Sequence, residues 1–269
     1  MNVIRKKPAL IYLIFTFILT WTGGTIYFNE TINETLPRRL TVVLRILFIP
    51  SLVAPFFMAG VMEYIRHRRK GVARLFRRFL PRNTNITWYI LAIAIPMLVY
   101  GLASIADTFR GTPFLTPFAN AGPQTPWIAL QTFLLAGVAE EMGWRGYLQQ
   151  QLQSTCKAWL ISIIIGVVVA FWHLPLFFSP ENIHANHPFL SFLGLMIAVS
   201  FLYTWLMDNT RSVLIAALFH TSHDMASMHF SQADYLSATL IYGLIALVIL
   251  RVYGVSRFTK HPGQYPLYS

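Results

Sequence analysis

Apolar residues fall into eight long runs, 8–28, 42–65, 88–106, 126–148, 158–178, 188–207, 212–229 and 235–253, separated by short polar or basic connections. Each run is close to the ~20 residues a helix needs to cross the hydrocarbon core of a bilayer. Unbroken runs of this length predict all-helical spans, because an open strand could not satisfy its backbone in lipid. Prolines at 50, 55, 96 and 175 interrupt several of them, which membrane helices tolerate when neighbouring groups take up the freed carbonyls. The pattern predicts an all-α, polytopic transmembrane bundle in a single domain, 1–269, with no internal repeat, low-complexity tract or interdomain linker.

Composition supports that reading. Of the 269 residues 55% are hydrophobic and only 12% charged, and the mean hydropathy is +0.53, too little charge to cover the surface of a soluble domain of this size. The net charge of +11 sits in clusters between apolar runs, so it reads as a set of orientation signals and not as a nucleic-acid footprint. With the N-terminus inside, sixteen Lys and Arg fall on the inner side, eight of them in 66–82, against Arg38, Arg39 and Arg110 outside. Positive loops stay cytoplasmic, so both termini are expected there. The segment 66–82, RHRRKGVARLFRRFLPR, interleaves apolar residues at helical spacing and is expected to lie along the anionic leaflet. The run after Arg5, Lys6 and Lys7 continues for about 20 residues, so it reads as a permanent span and not a cleaved signal. Cys156 is alone and excludes an internal disulfide.

Most ionisable groups then fall in loops or at helix ends, where Glu30, Glu34, Glu63, Asp107, Glu181, Asp208 and Asp234 are expected to need no special partner. Arg45 and His229 lie nearer span ends. Left within the spans are Glu140, Glu141, Arg145, His173, His220, His223 and Asp224. A carboxylate at membrane depth costs roughly 2.5–3.5 kcal/mol on insertion scales, so such a residue reads as functional by default. In EEMGWRG, Glu141 and Arg145 share a helix face at a spacing of four, while Glu140 diverges from Glu141 by about 100°. That leaves Glu140 available for other chemistry, with Gly137 and Gly143 allowing a neighbouring helix to approach. His220 and Asp224, in LFHTSHDMAS, repeat the spacing of four. His223 and His229 read as polar packing residues. His173, two residues before Pro175, either bonds a freed carbonyl or belongs to the site. A glutamate, two histidines and an aspartate on three spans predict one shared site, although helical rise places His173 deeper than Glu140 and His220 unless the fifth helix starts in the cytosol or tilts.

In order and form these segments resemble the CAAX protease and bacteriocin-processing family, whose eukaryotic members trim prenylated CAAX proteins. Its first motif, two glutamates, three residues and an arginine, matches Glu140, Glu141 and Arg145. Its last, a histidine, three residues and Asn or Asp, matches His220 and Asp224. Its middle motif, Phe, three residues and His, keeps His173 but has Val169 in place of Phe, with Phe171 nearby. The likeness covers about 126–229, the expected catalytic core.

The resemblance implies hydrolysis of peptide bonds within the membrane, on membrane-anchored and in some members prenylated CAAX-type peptides. Glu140 with His173 would activate a water, and His220 would stabilise the oxyanion. Glu141 and Arg145 would give structural support. An Asp at 224 only accepts hydrogen bonds, so it would orient His220 or serve a metal. No cofactor is expected, and HExxH is absent. The alternative is zinc held by Glu140, His173, His220 and Asp224. Membrane lipid and a lipidated or membrane-anchored peptide are the expected partners, nucleic acid is not, and the site is expected nearer the cytoplasmic face. A GxSxG serine site is missing, and only one aspartate lies inside a span. A proton-coupled transporter and a non-catalytic immunity or scaffold protein are the readings from other classes, the first disfavoured because proline and glycine breaks do not recur in matched halves.

Overall fold

The structure is a computed structural model that describes residues 7–28, 37, 39–40, 42, 50–51, 53–80, 84–113, 122–178, 182–230 and 234–260. Arg5, Lys6, Glu30, Glu34, Arg38, Arg45, Arg82, Glu181 and much of the expected second span lie outside them.

Among the described residues the chain forms eight helical rods and no strand. They are α1 (Pro8–Phe28), α2 (Ala54–Arg77), α3 (Ile86–Thr108), the composite α4 (125–152), α5 (Ala158–Trp172), α6 (Phe189–Thr210), α7 (Val213–His229) and α8 (Leu236–Tyr253). The expected all-α polytopic bundle is what the chain adopts. Four rods are long and apolar enough to cross a membrane: Ile86–Thr108, Ala158–Phe178, Phe189–Thr210 and Leu236–Tyr253. α4 and α7 are not apolar enough to qualify by composition. Their buried faces carry the polar residues, and rods shielded by neighbours need no hydrocarbon coat.

Prolines and glycines shape the bundle. α5 ends at Trp172, not 178, and continues as a 3-10 turn, Leu174–Phe178, because Pro175 lacks a donor and turns its predecessor away from the α region. In α3, Pro96 is accommodated inside the helix, and Ser222 of α7 donates to the Ile93 carbonyl in the preceding turn at 2.7 Å. Gly143 packs α4 against α1 and α2 so closely that a Cβ there would lie 2.5 Å from the Pro55 carbonyl carbon and the Tyr12 hydroxyl. A Cβ on Gly137 would lie 2.7 Å from the Ala217 carbonyl oxygen of α7. Gly143→Ala is therefore expected to destabilise the bundle by about 1–3 kcal/mol through overpacking, read as a lower unfolding midpoint in detergent.

Three acids expected to need no special partner are buried and paired. α2 runs on through the basic segment to Arg77 and bends at Arg68, whose φ of 55° is rare for a non-glycine residue. The bend brings Arg74 and Arg78 to Glu63, 1% exposed, at 3.3 and 3.7 Å. Beyond it, the Arg78 and Phe79 carbonyls accept from the Val213 and Leu214 amides at 2.9 and 3.2 Å, which satisfies the open N-terminus of α7. Asp208 accepts from the Phe258 amide at 2.9 Å and from Gln153 at 3.0 Å. Asp107 accepts from Ser237 and pairs with Arg110 at 3.2 Å. Arg110 also grips Asp234 at 2.9 Å, and that hydrogen bond holds the Asp234 carboxyl below its usual range. Loop positions in a membrane protein thus become buried joints when the rods close over them.

Candidate active site

α4 is not a regular helix. Two π-helical stretches, Phe133–Val138 and Trp144–Leu148, flank the short α segment Ala139–Gly143 that carries both glutamates. Such segments insert an extra residue per turn, and they concentrate at functional sites because they re-aim side chains.

The expected pair forms: Arg145 Nε lies 3.3 Å from Glu141 Oε2, with both residues 3% exposed. The guanidinium is met on its other edges by α6, donating to Ser200 Oγ at 3.0 Å and to Thr204 Oγ1 at 3.4 Å, with Gln149 Oε1 also at 3.4 Å. Its planar face lies 4.6 Å from the Tyr203 ring centroid. Buried guanidinium groups are stable only when their fork of donors is met in this way.

Glu141 does more than neutralise Arg145. Its Oε1 lies 2.7 Å from His220 Nδ1, so this carboxylate links the arginine of α4 to the histidine of α7. On the opposite edge of the ring, His220 Nε2 stands 3.5 Å from Asp224 Oδ2. Nδ1 is engaged by Glu141 at 2.7 Å, and Nε2, 3.5 Å from a carboxylate oxygen, is the less tightly held of the two nitrogens. The spacing of four on α4 and on α7 gives no sign of this link, and only the packing of the two rods decides which glutamate the imidazole meets.

His173 caps the C-terminus of α5, and its Nδ1 lies 2.9 Å from the Val169 carbonyl oxygen. Since a carbonyl only accepts, the proton sits on Nδ1 and Nε2 carries the free lone pair. His173 thus bonds a carbonyl of its own helix that also accepts from the His173 amide at 3.2 Å, and not one freed by Pro175, and it lines the cavity described below. At position 169, where the family motif has Phe, Val169 contributes its backbone carbonyl.

Glu140, Glu141, Arg145, His173, His220 and Asp224 all line one cavity of about 490 Å³. Glu140 is 7% exposed, and its Oε2 is buried without a hydrogen-bond partner. Of the six residues, Glu140 is the carboxylate least committed to a protein partner. Sequence reading did not single out the aromatic wall beside His173. There His184 stacks on Phe177 with centroids 5.3 Å apart, and its Nδ1 lies 2.7 Å from the Tyr235 hydroxyl. Burial pushes the His184 imidazole down to about 4. His184 and Tyr235 sit in or beside interhelical turns, where no local periodicity marks them. His223 holds Tyr100 and Tyr242 at 3.0 and 3.1 Å through its two nitrogens, the packing role expected of it.

As for a metal, no three His, Cys, Asp or Glu side chains among the described residues stand close enough together to hold one ion. The set Glu140, His173, His220 and Asp224 shares the cavity without forming such a group.

Residues 122–226 match the family model described as type II CAAX prenyl endopeptidase Rce1-like. The chain is 27% identical over 233 residues to the CAAX prenyl protease 2 of Methanococcus maripaludis, covering 80% of this chain and 82% of that protein. It is 23% identical over 215 residues to the lysostaphin resistance protein A of Staphylococcus haemolyticus, and 27% identical over 188 residues to that of Staphylococcus epidermidis. These alignments take in 76% and 68% of this chain but only 58% and 47% of the staphylococcal proteins, so the chain spans about half of their length. The likeness read from Glu140, Glu141, Arg145, His173, His220 and Asp224 therefore stands: the segment that carries them is similar to the Rce1-like type II CAAX prenyl endopeptidases.

Proposed function

We propose that the protein is an integral membrane endopeptidase that hydrolyses peptide bonds of membrane-anchored substrates, lipidated CAAX-type peptides among them. The observation that carries this reading is the cavity: three rods each supply ionisable groups to one space, and the Glu140 carboxylate in it has a buried oxygen with no hydrogen-bond partner. A carboxylate oxygen without a protein hydrogen bond, in a cavity that His173 also lines, suits a water molecule that both groups polarise.

In this reading Glu140 takes a proton from the water, with His173 Nε2 accepting a hydrogen bond from it. The water oxygen attacks the scissile carbonyl carbon, and the carbonyl π electrons move onto oxygen. Collapse of the tetrahedral intermediate breaks the C–N bond, Glu140 returns its proton to the leaving nitrogen, and a carboxylic acid and an amine result. His220, protonated on both ring nitrogens between Glu141 and Asp224, donates from Nε2 to the oxyanion. Asp224 holds the imidazole in place, while Arg145 and Glu141 position it from the far side. The charge distribution of the loops favours a site nearer the cytoplasmic face.

Two measurements test this. Mass spectrometry of peptides released from membranes by wild type and absent with Glu140→Ala would identify the substrate; identical peptide sets from the two proteins refute the reading. Hydrolysis is expected to persist in a strong chelator. Complete loss, restored by zinc, would refute the metal-free version.

A further inference from the structure

An oxyanion formed in a low-dielectric cavity needs more than one donor aimed at it, and most donors that line this cavity are already engaged. The Asp224 carboxylate only accepts. Ser227 donates to the Asp224 backbone carbonyl at 2.8 Å. The Tyr100 hydroxyl is bonded to His223, whose other nitrogen is bonded to Tyr242. The Tyr235 hydroxyl is bonded to His184, and both terminal nitrogens of Arg145 are bonded to Ser200, Thr204 and Gln149.

Tyr203, packed against His220, is uncommitted. Its ring lies under the Arg145 guanidinium and stands edge-on to the imidazole of His220, centroids 6.1 Å apart. It also packs against Phe219 at 4.8 Å. The residue is 6% exposed and lines the cavity, so its orientation is set by packing on three sides. Among the described residues its hydroxyl has no hydrogen-bond partner, yet it is not sealed off from the cavity in the way the Glu140 oxygen is. A tyrosine is an economical place for such a donor, because stacking fixes the ring while leaving the O–H uncommitted.

We propose that Tyr203 is a further catalytic residue, donating its O–H to the carbonyl oxygen of the scissile bond as that oxygen gains charge, beside His220 Nε2. No covalent step or proton loss is involved; the hydroxyl strengthens one hydrogen bond as the tetrahedral intermediate forms. It supplies the second donor that an aspartate at 224 does not. The inference rests on the proteolytic reading above.

Tyr203→Phe isolates it, since the ring contacts with Arg145, His220 and Phe219 survive and only the oxygen is lost. Wild type, Tyr203→Phe and Glu140→Ala are assayed on a farnesylated CAAX peptide carrying a fluorophore and quencher, in phosphatidylcholine–phosphatidylglycerol vesicles. For Tyr203→Phe, kcat is expected to fall about 10²–10³-fold, the usual effect of losing one oxyanion donor. KM should stay within about twofold and the unfolding midpoint should not move, since only transition-state binding is lost. Binding of a peptidyl phosphonate, a tetrahedral mimic, should weaken while substrate affinity does not. A Tyr203→Phe protein that keeps kcat within about threefold of wild type, or loses rate through KM alone, overturns this inference and leaves the proteolytic reading standing. A wild type as inert as Glu140→Ala removes both.

Discussion

Replacing Glu140 by alanine should abolish peptide release, with a loss of at least about 10²–10⁴-fold, the range attributed to a positioned general base. The fold should survive intact. The two halves of this expectation have one physical origin. Glu140 is 7% exposed and one of its oxygens has no partner, so the folded chain bears the desolvation of a carboxyl that returns little to stability. Removing it relieves that penalty, and the unfolding midpoint in detergent should equal or exceed that of wild type. Activity lost without stability lost is the signature of a group kept for chemistry. A Glu140→Ala protein that cleaves normally would refute its role. One that unfolds would show the carboxyl to be a packing element.

Arg145→Ala should do the reverse, destabilising the bundle first and silencing it as a consequence. The substitution strands Glu141, 3% exposed, without its cation. Breaking a buried pair by removing one member costs about 3–5 kcal/mol, because the remaining charge stays desolvated. The loss also leaves Ser200 and Thr204 of α6 without their shared donor and removes the cation stacked on Tyr203. Arg145→Lys should rescue little of this. One ammonium cannot span Glu141, Ser200 and Thr204 as a planar fork does, and it stacks less well on an aromatic face. Denaturant or thermal unfolding in detergent checks both variants; midpoints unchanged from wild type would show the Glu141–Arg145 pair to be energetically idle.

The contrast between two neighbouring glutamates shows how much was legible beforehand. At 100° per residue the divergence of Glu140 from Glu141, and the pairing of Glu141 with Arg145, follow from helical geometry alone, and both survive in a rod interrupted by two π stretches. The grip of Glu141 on His220 does not follow from it, since the two residues are far apart in the chain and meet only because α4 and α7 pack with Gly137 between them. Glu63, Asp107 and Asp208 take partners for a related reason. Position near the end of an apolar run predicts exposure only if nothing folds over it, and here a bend at Arg68, the start of α8 and the segment after α8 cover them. Tyr203 left a faint trace, as Ser200, Tyr203 and Thr204 place polar groups three and four apart in an otherwise apolar span. His184 left none.

What the sequence determined by itself is the set of membrane rods and the identity of the ionisable residues inside them, because lipid forces long apolar helices and makes every interior charge conspicuous. What only tertiary structure decided is which of those residues are committed to one another and which remain open to a ligand. Commitment depends on distances of a few ångström between rods, and these are set by glycine contacts, proline breaks and helix-end pairings that no single segment encodes.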